Sequence, residues 1–202
     1  MDQILQHIIT VFMAFFAIMN PIWNTAAFIG LVGSRSKAEQ KLIAARGLII
    51  AFCILLFFSI LGKIIFELFG ITLNALRMAG GILVFIIGYN MLQGKSSDLH
   101  DADGNSNNDV TAYPLATPLL AGPGTIATAM NYSAGGGWTS IAITVGIALL
   151  LCVITFLCFI SASRIIRVIG QSGLDIVTRL MGLILAVIGM QMFIIGTKAA
   201  FF

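Results

Sequence analysis

The chain reads as an all-α protein, a polytopic membrane helix bundle. Three observations lead there. Hydrophobic residues make up 59% of its 202 positions and charged residues 9%, with a mean hydropathy of +1.03. Apolar runs long enough to cross a bilayer recur along the whole chain. All four prolines fall in two matched apolar segments. A soluble domain carries about 25% charged residues, so a water-facing surface could not be covered here and lipid must be the solvent for most of the chain.

A spanning helix needs about 20 mostly apolar residues. Six stretches qualify: 8–31, 47–66, 75–93, 113–134, 138–163 and 177–197, the third short and the fourth weak. None shows the period-2 alternation of a membrane barrel, so the spans are expected to be helices. The N-terminus lacks a charged leader region and an A-x-A cleavage site, so the first apolar run is expected to stay as a span. The spans alternate sides, which allows the basic residues to be sorted. Arg35, Lys37, Lys41, Arg46, Lys95, Arg164, Arg167 and Arg179 fall on one side, and Lys63, Arg77 and Lys198 on the other. The positive-inside rule puts the richer set in the cytoplasm. The expected location is a bacterial inner membrane, with both termini periplasmic.

The polar stretch 95–112, KSSDLHDADGNSNNDVTA, has no apolar period and reads as a cytoplasmic linker. Its DADGN resembles the start of a calcium loop, but the glycine comes too early and no Glu closes the motif. The linker divides the chain into a first three-helix repeat, 1–94, and a second, 113–202, that together form one membrane domain. The halves correspond at a shared offset. Pro21 and Pro123 are 102 positions apart, as are Arg77 and Arg179, and RMAGGIL (77–83) is comparable with RLMGLIL (179–185). GKII (62–65) matches SRII (163–166) at an offset of 101. Three spans per half is an odd number, so the halves insert with opposite orientation, as two inverted three-helix repeats.

The candidate site lies at the two proline breaks, in the first and fourth helices. Proline removes a helix hydrogen bond and crowds the carbonyl four residues back, here Ala17 for Pro21 and Leu119 for Pro123. Asn20, Asn24 and Thr25 place polar groups beside Pro21. Gly122, Gly124, Thr125 and Thr128 surround Pro123, and Pro114 and Pro118 weaken the same span further. Paired interruptions in corresponding spans point to a midplane binding site. Half-helix N-termini suit a carboxylate and freed carbonyls suit an ammonium, so a zwitterion fits the pair. Kinking for packing alone is the competing account of the same residues. Arg77 and Arg179 begin the third and sixth spans, one per membrane face, where they are candidates for gating or for capping carbonyls. Interfacial snorkelling is the plainer account. Asn90 and Gln191 suit interhelical hydrogen bonds.

Other chemistry finds little support. Cys53, Cys152 and Cys158 sit in apolar runs without a CxxC, which suggests neither a disulfide framework nor zinc. The spans have no central His, Asp or Glu, so neither an enzyme, a metal site nor a buried carboxylate proton relay is expected. Glu67 and Asp175 lie at span ends, and His7 and His100 outside the apolar cores. No cofactor is expected. Nor is a nucleic-acid partner, for want of a basic, aromatic-interleaved stretch. The expected partners are a small-molecule substrate and membrane lipid, with self-association left open.

The segments MNPIWN (19–24), FGITLNALRMAGGIL (69–83), PLATPLLAGPGTIAT (114–128) and TRLMGLILAVIGMQMF (178–193) resemble the MarC family of bacterial six-span membrane proteins. The resemblance covers essentially the whole chain. It implies a relation to exporters of amino acids and other metabolites, with small neutral amino acids as the substrate class. The family's usual Gly after the Asn-Pro-hydrophobic triplet is Trp23 here, so substrate identity does not carry over directly. The leading expectation is a secondary transporter of a small neutral or zwitterionic metabolite, most readily an amino acid. The alternative is a non-transporting membrane scaffold or stress-linked accessory protein. The topology is checked with an enzymatic reporter fused after Phe202: activity outside the cytoplasm is expected, and activity only inside it overturns the orientation.

Overall fold

The computed structural model describes residues 2–32, 35–94, 120–134 and 137–201. The linker 95–112, Pro114, Pro118 and Leu119 lie outside the described residues. The described chain is helical throughout: α1 (Asp2–Met19), α2 (Pro21–Val32), α3 (Lys37–Leu68), α4 (Leu73–Leu92), α5 (Pro123–Ala134), α6 (Gly137–Ile160) and α7 (Ala162–Phe201). Five stretches are long and apolar enough to cross a membrane: Ile4–Gly30, Lys37–Gly62, Leu73–Leu92, Gly137–Ile160 and Ser172–Phe201. They match the first, second, third, fifth and sixth spans read from the sequence. Of the fourth, 113–134, the described residues contain mainly α5. Only 33–39% of each spanning window is buried inside the protein. The rest is a coat of exposed Leu, Ile, Val and Phe, which lipid solvates.

Local chemistry sets the helix ends. At α3, the Ser36 Oγ accepts from the Glu39 backbone N–H (3.3 Å), and the Glu39 carboxylate accepts from the Ser36 N–H (2.9 Å). This reciprocal capping box starts α3 about ten residues before the apolar span begins. The Thr72 hydroxyl accepts from the Ala75 N–H (3.1 Å) and starts α4. Gly70 (φ 67°) turns the chain between α3 and α4, and Gly170 (φ 68°, ψ 169°) breaks α7 near its start. Gly70 and Gly170 follow the GKII and SRII segments by five and four residues, so a positive-φ glycine recurs at a similar place in each half. A positive φ of this size is open to glycine without the Cβ clash other residues meet.

The packing divides between a cluster around α3, α5 and α6 and one close pair. α3 lies against α6, with α5 against both, and α1 and α2 pack on α6 and α7. The inner seam of α2 and α6 is marked by Phe28 and Phe159, stacked at 4.4 Å between ring centroids. The tightest pair is α4 and α7, which run antiparallel with backbones in contact. A Cβ on Gly81 would stand 2.6 Å from the Gly189 carbonyl oxygen, and one on Gly189 would stand 2.6 Å from that of Gly81. Gly88 and Gly182 form the second such pair, at 2.6 and 2.8 Å. Lipid tails are as apolar as side chains, so helices in a membrane associate through close van der Waals packing, which small residues permit.

Substituting the seam should therefore disrupt the bundle. Gly88→Ala and Gly189→Ala each aim a methyl group at facing backbone (Ala186 N and Phe85 N respectively), and each is expected to destabilise by about 1–3 kcal/mol. Gly30→Ala meets nothing within 4 Å and serves as the control. Thermal unfolding in detergent measures all three. Equal midpoints would contradict the seam.

Candidate functional site

The first proline break is where the sequence placed it. α1 ends at Met19, α2 begins at Pro21, and Asn20 between them adopts φ 34°. Asn is among the few side chains that tolerate this region. Asn20 is the cap of α2, and its Oδ1 accepts from the Trp23 N–H at 3.3 Å. Pro21 occupies the first helical position, where its missing N–H has no helix partner to lose. The Asn24 Nδ2 donates back across the break to the Met19 carbonyl. The Thr25 hydroxyl donates to the Pro21 carbonyl at 2.7 Å. Asn20, Asn24 and Thr25 are all buried. Their polar groups answer the backbone demands that the break creates in a medium with no water.

The second break is built differently. α5 starts at Pro123, and its first turn is closed by the Ile126 N–H donating to the Gly122 carbonyl at 3.0 Å. Gly122 has no side chain with which to cap the helix as Asn20 does. Gly124 sits against Ile18 of α1 and against Ile87 and Val84 of α4, where a Cβ would stand 3.0 Å from the Ile18 methyl group. The start of α5 thus lies beside the end of α1, so the two breaks are neighbours. Thr125 and Thr128 are buried there, whereas Pro123 is exposed. Two buried polar atoms of this region have no hydrogen-bond partner: Asn20 Nδ2 and Thr128 Oγ1.

The expected arginines separate. Arg77 is partly buried, and its Nε donates to the Asn131 Oδ1 on α5 at 3.0 Å. Its partner is a side chain rather than the helix carbonyl that a capping role predicted. Arg179 is exposed at the opposite end of the α4–α7 seam, close to Gly94. Asn131, a residue the sequence reading passed over, lies eight positions beyond Pro123, about 12 Å along a helix. It follows Thr125 and Thr128 at spacings of three, which puts all three polar residues on one helix flank. That spacing was the available signal.

A cavity of about 560 Å3 opens beside Arg77 and Asn131. His7 and Thr10 of α1, Tyr132, Ser140 of α6 and Gln191 of α7 also line it. A second cavity, of about 310 Å3, lies at the other end of the bundle, edged by Lys37, Lys41, Arg164 and Arg167. A third, of about 320 Å3, lies between α3, α5 and α6 beside Ser59 and Ser133, whose buried hydroxyl oxygens have no partner. None of the three is lined by Asn20, Pro21, Asn24, Thr25 or the residues 122–128. Among the described residues no group of three His, Cys, Asp or Glu side chains is arranged to hold a metal ion.

Sequence comparison supplies the family. A UPF0056 membrane protein named YvbG, from Bacillus subtilis (strain 168), is 42% identical over 96% of this chain and 95% of its own length. A UPF0056 membrane protein of Methanocaldococcus jannaschii is 38% identical over 97% of this chain and 98% of its own. The UPF0056 inner membrane protein MarC of Escherichia coli O1:K1 / APEC is 33% identical over 88% of this chain and 87% of its own. No solved structure matches the chain. The family described as "MarC family integral membrane protein" matches residues 5–201. A multi-pass helical chain with a capped Asn-Pro break, matched from end to end in this way, belongs to the MarC family of integral membrane proteins.

Proposed function

We propose that the chain is a secondary transporter of a small neutral or zwitterionic metabolite, most readily an amino acid, working by alternating access in the inner membrane. The observation that carries this reading is the adjacency of the two proline breaks, with Asn20 Nδ2 and Thr128 Oγ1 buried there without partners. An unpartnered buried polar group costs about 1–3 kcal/mol. A cost of this kind at paired interruptions is offset if a polar ligand occupies the site for part of a cycle. In this reading six spans form two inverted repeats, 1–94 and 113–202, with the termini outside.

The seam between α4 and α7 supports that symmetry. At an offset of 101 Gly81 corresponds to Gly182 and Gly88 to Gly189, so exchanging the halves turns one glycine contact of the seam into the other. Gly70 and Gly170 repeat a positive φ. The four cations around the second cavity fit a cytoplasmic end under the positive-inside rule. The chain carries out no chemistry in this reading.

A non-transporting scaffold remains the rival, and one observation favours it: the break residues line none of the three cavities. Alternating access accommodates that fact, since the path must be shut at the centre whenever one side is open. Counterflow in proteoliposomes, with a panel of labelled neutral amino acids, separates the readings. Exchange of at least one is expected, and Thr125→Ala should slow it roughly tenfold, the effect of losing about 1.4 kcal/mol at the site. Asn20→Ala should slow it too, while also removing the α2 cap, worth about 1 kcal/mol. Absence of exchange across the panel, from well-folded protein, would decide for the scaffold.

A further inference from the structure

The geometry points to Arg77 as the anchor for a ligand carboxylate, in the cavity that opens beside it. The inference rests on the transport reading for its purpose and gives the chemistry of the ligand: a small monocarboxylate with an apolar body. Four features converge. Arg77 is partly buried, and its one hydrogen bond among the described residues, from Nε to the neutral amide of Asn131, leaves both Nη groups for other acceptors. Among the described residues that line the cavity none is acidic, so none of them supplies the guanidinium with a counter-ion. His7, which also lines the cavity, has a buried Nε2 with no partner among the described residues. The α7 lining is mostly apolar, with Val187, Ile188, Met192 and Ile195 beside the single polar Gln191.

The cavity combines one cation and several polar groups with an aliphatic lining drawn from α7. Its volume, about 560 Å3, falls in the range of ordinary small-molecule sites, about 300–1,000 Å3. A guanidinium presents paired N–H donors that match a carboxylate in bidentate fashion. An ammonium would find no carboxylate on these walls. An amino acid is therefore held here by its carboxylate end and its side chain, and the amino group is dispensable. The neighbouring amide is also explained: by accepting from Nε it fixes the guanidinium plane without cancelling its charge.

Isothermal titration of the purified full chain in detergent, with butyrate and its uncharged isostere butyramide, tests the assignment. Butyrate should bind at least about tenfold more tightly than butyramide, a difference of about 1.4 kcal/mol. Arg77→Gln should remove that preference, and Arg46→Gln, which alters an exposed cation on α3, should leave it unchanged. Asn131→Asp is the decisive variant. It keeps an acceptor on Arg77 Nε, and so preserves any structural tether, but supplies the missing counter-ion and should abolish butyrate binding. The assignment is overturned if butyrate does not bind, if the two probes bind equally, or if Asn131→Asp keeps wild-type affinity. Butyrate binding without exchange of any solute in proteoliposomes would uphold this site while removing the transport reading. Exchange that survives both Arg77→Gln and Asn131→Asp would do the reverse.

Discussion

Lipid offers no hydrogen bonds, and that single constraint shapes both the regular and the irregular parts of this protein. A backbone group released inside the bilayer must be answered within the chain. At Asn20-Pro21 the answer is almost entirely local. Asn20 caps the helix that Pro21 begins, Asn24 reaches back to Met19, and Thr25 returns a bond to Pro21 itself. The same economy appears away from the break, where Thr155 and Thr178 each donate to the carbonyl four residues earlier. The second break, with Gly122 in place of Asn20 and Gly124 in place of Ile22, works by compactness: a missing Cβ lets α1 and α4 close over the start of α5. One break is held by side-chain hydrogen bonds and the other by absent side chains.

The glycine seam follows from the same constraint. In water α4 and α7 could be joined by burying leucines, but in lipid that gain vanishes and contact distance matters more. Gly81, Gly88, Gly182 and Gly189 bring the two backbones together, and the last helix of each half becomes a single antiparallel unit. Arg77 and Arg179 sit near opposite ends of this unit, each beside the closing glycine of the other helix, Gly196 for Arg77 and Gly94 for Arg179. The breaks lie on α1, α2 and α5, which pack around the seam without belonging to it.

Much of this was legible in the sequence because it is written in local terms. The Asn-Pro break and the approximate positions of five spans depend on residues a few positions apart. The early start of α3 was missed, because it depends on the Ser36–Glu39 capping box ahead of the apolar run. Gly170 lay between the fifth and sixth spans read from the sequence, so the helix that runs on either side of its kink was missed. Asn131 was missed for a deeper reason. Its importance lies in meeting Arg77, 54 positions away, and periodicity within one span carries no information about a partner on another. The cavity they share likewise depends on how five helices meet, which no single segment encodes.

The two ends of the bundle place positive charge in different physical settings, and the difference bears on what each does. Lys37, Lys41, Arg164 and Arg167 are exposed, so water and salt screen them and their collective effect is on orientation in the membrane. Arg77 is half withdrawn. A snorkelling arginine extends its guanidinium away from the protein core toward water. This one is instead tied to Asn131, itself only 9% exposed. That tether holds the charge against a neutral group beside an open cavity. Ionisable groups held within membrane spans are costly and are usually paired. A pairing that leaves the charge uncompensated accounts poorly for stability alone. It is well suited to a charge whose counter-ion arrives from outside the protein.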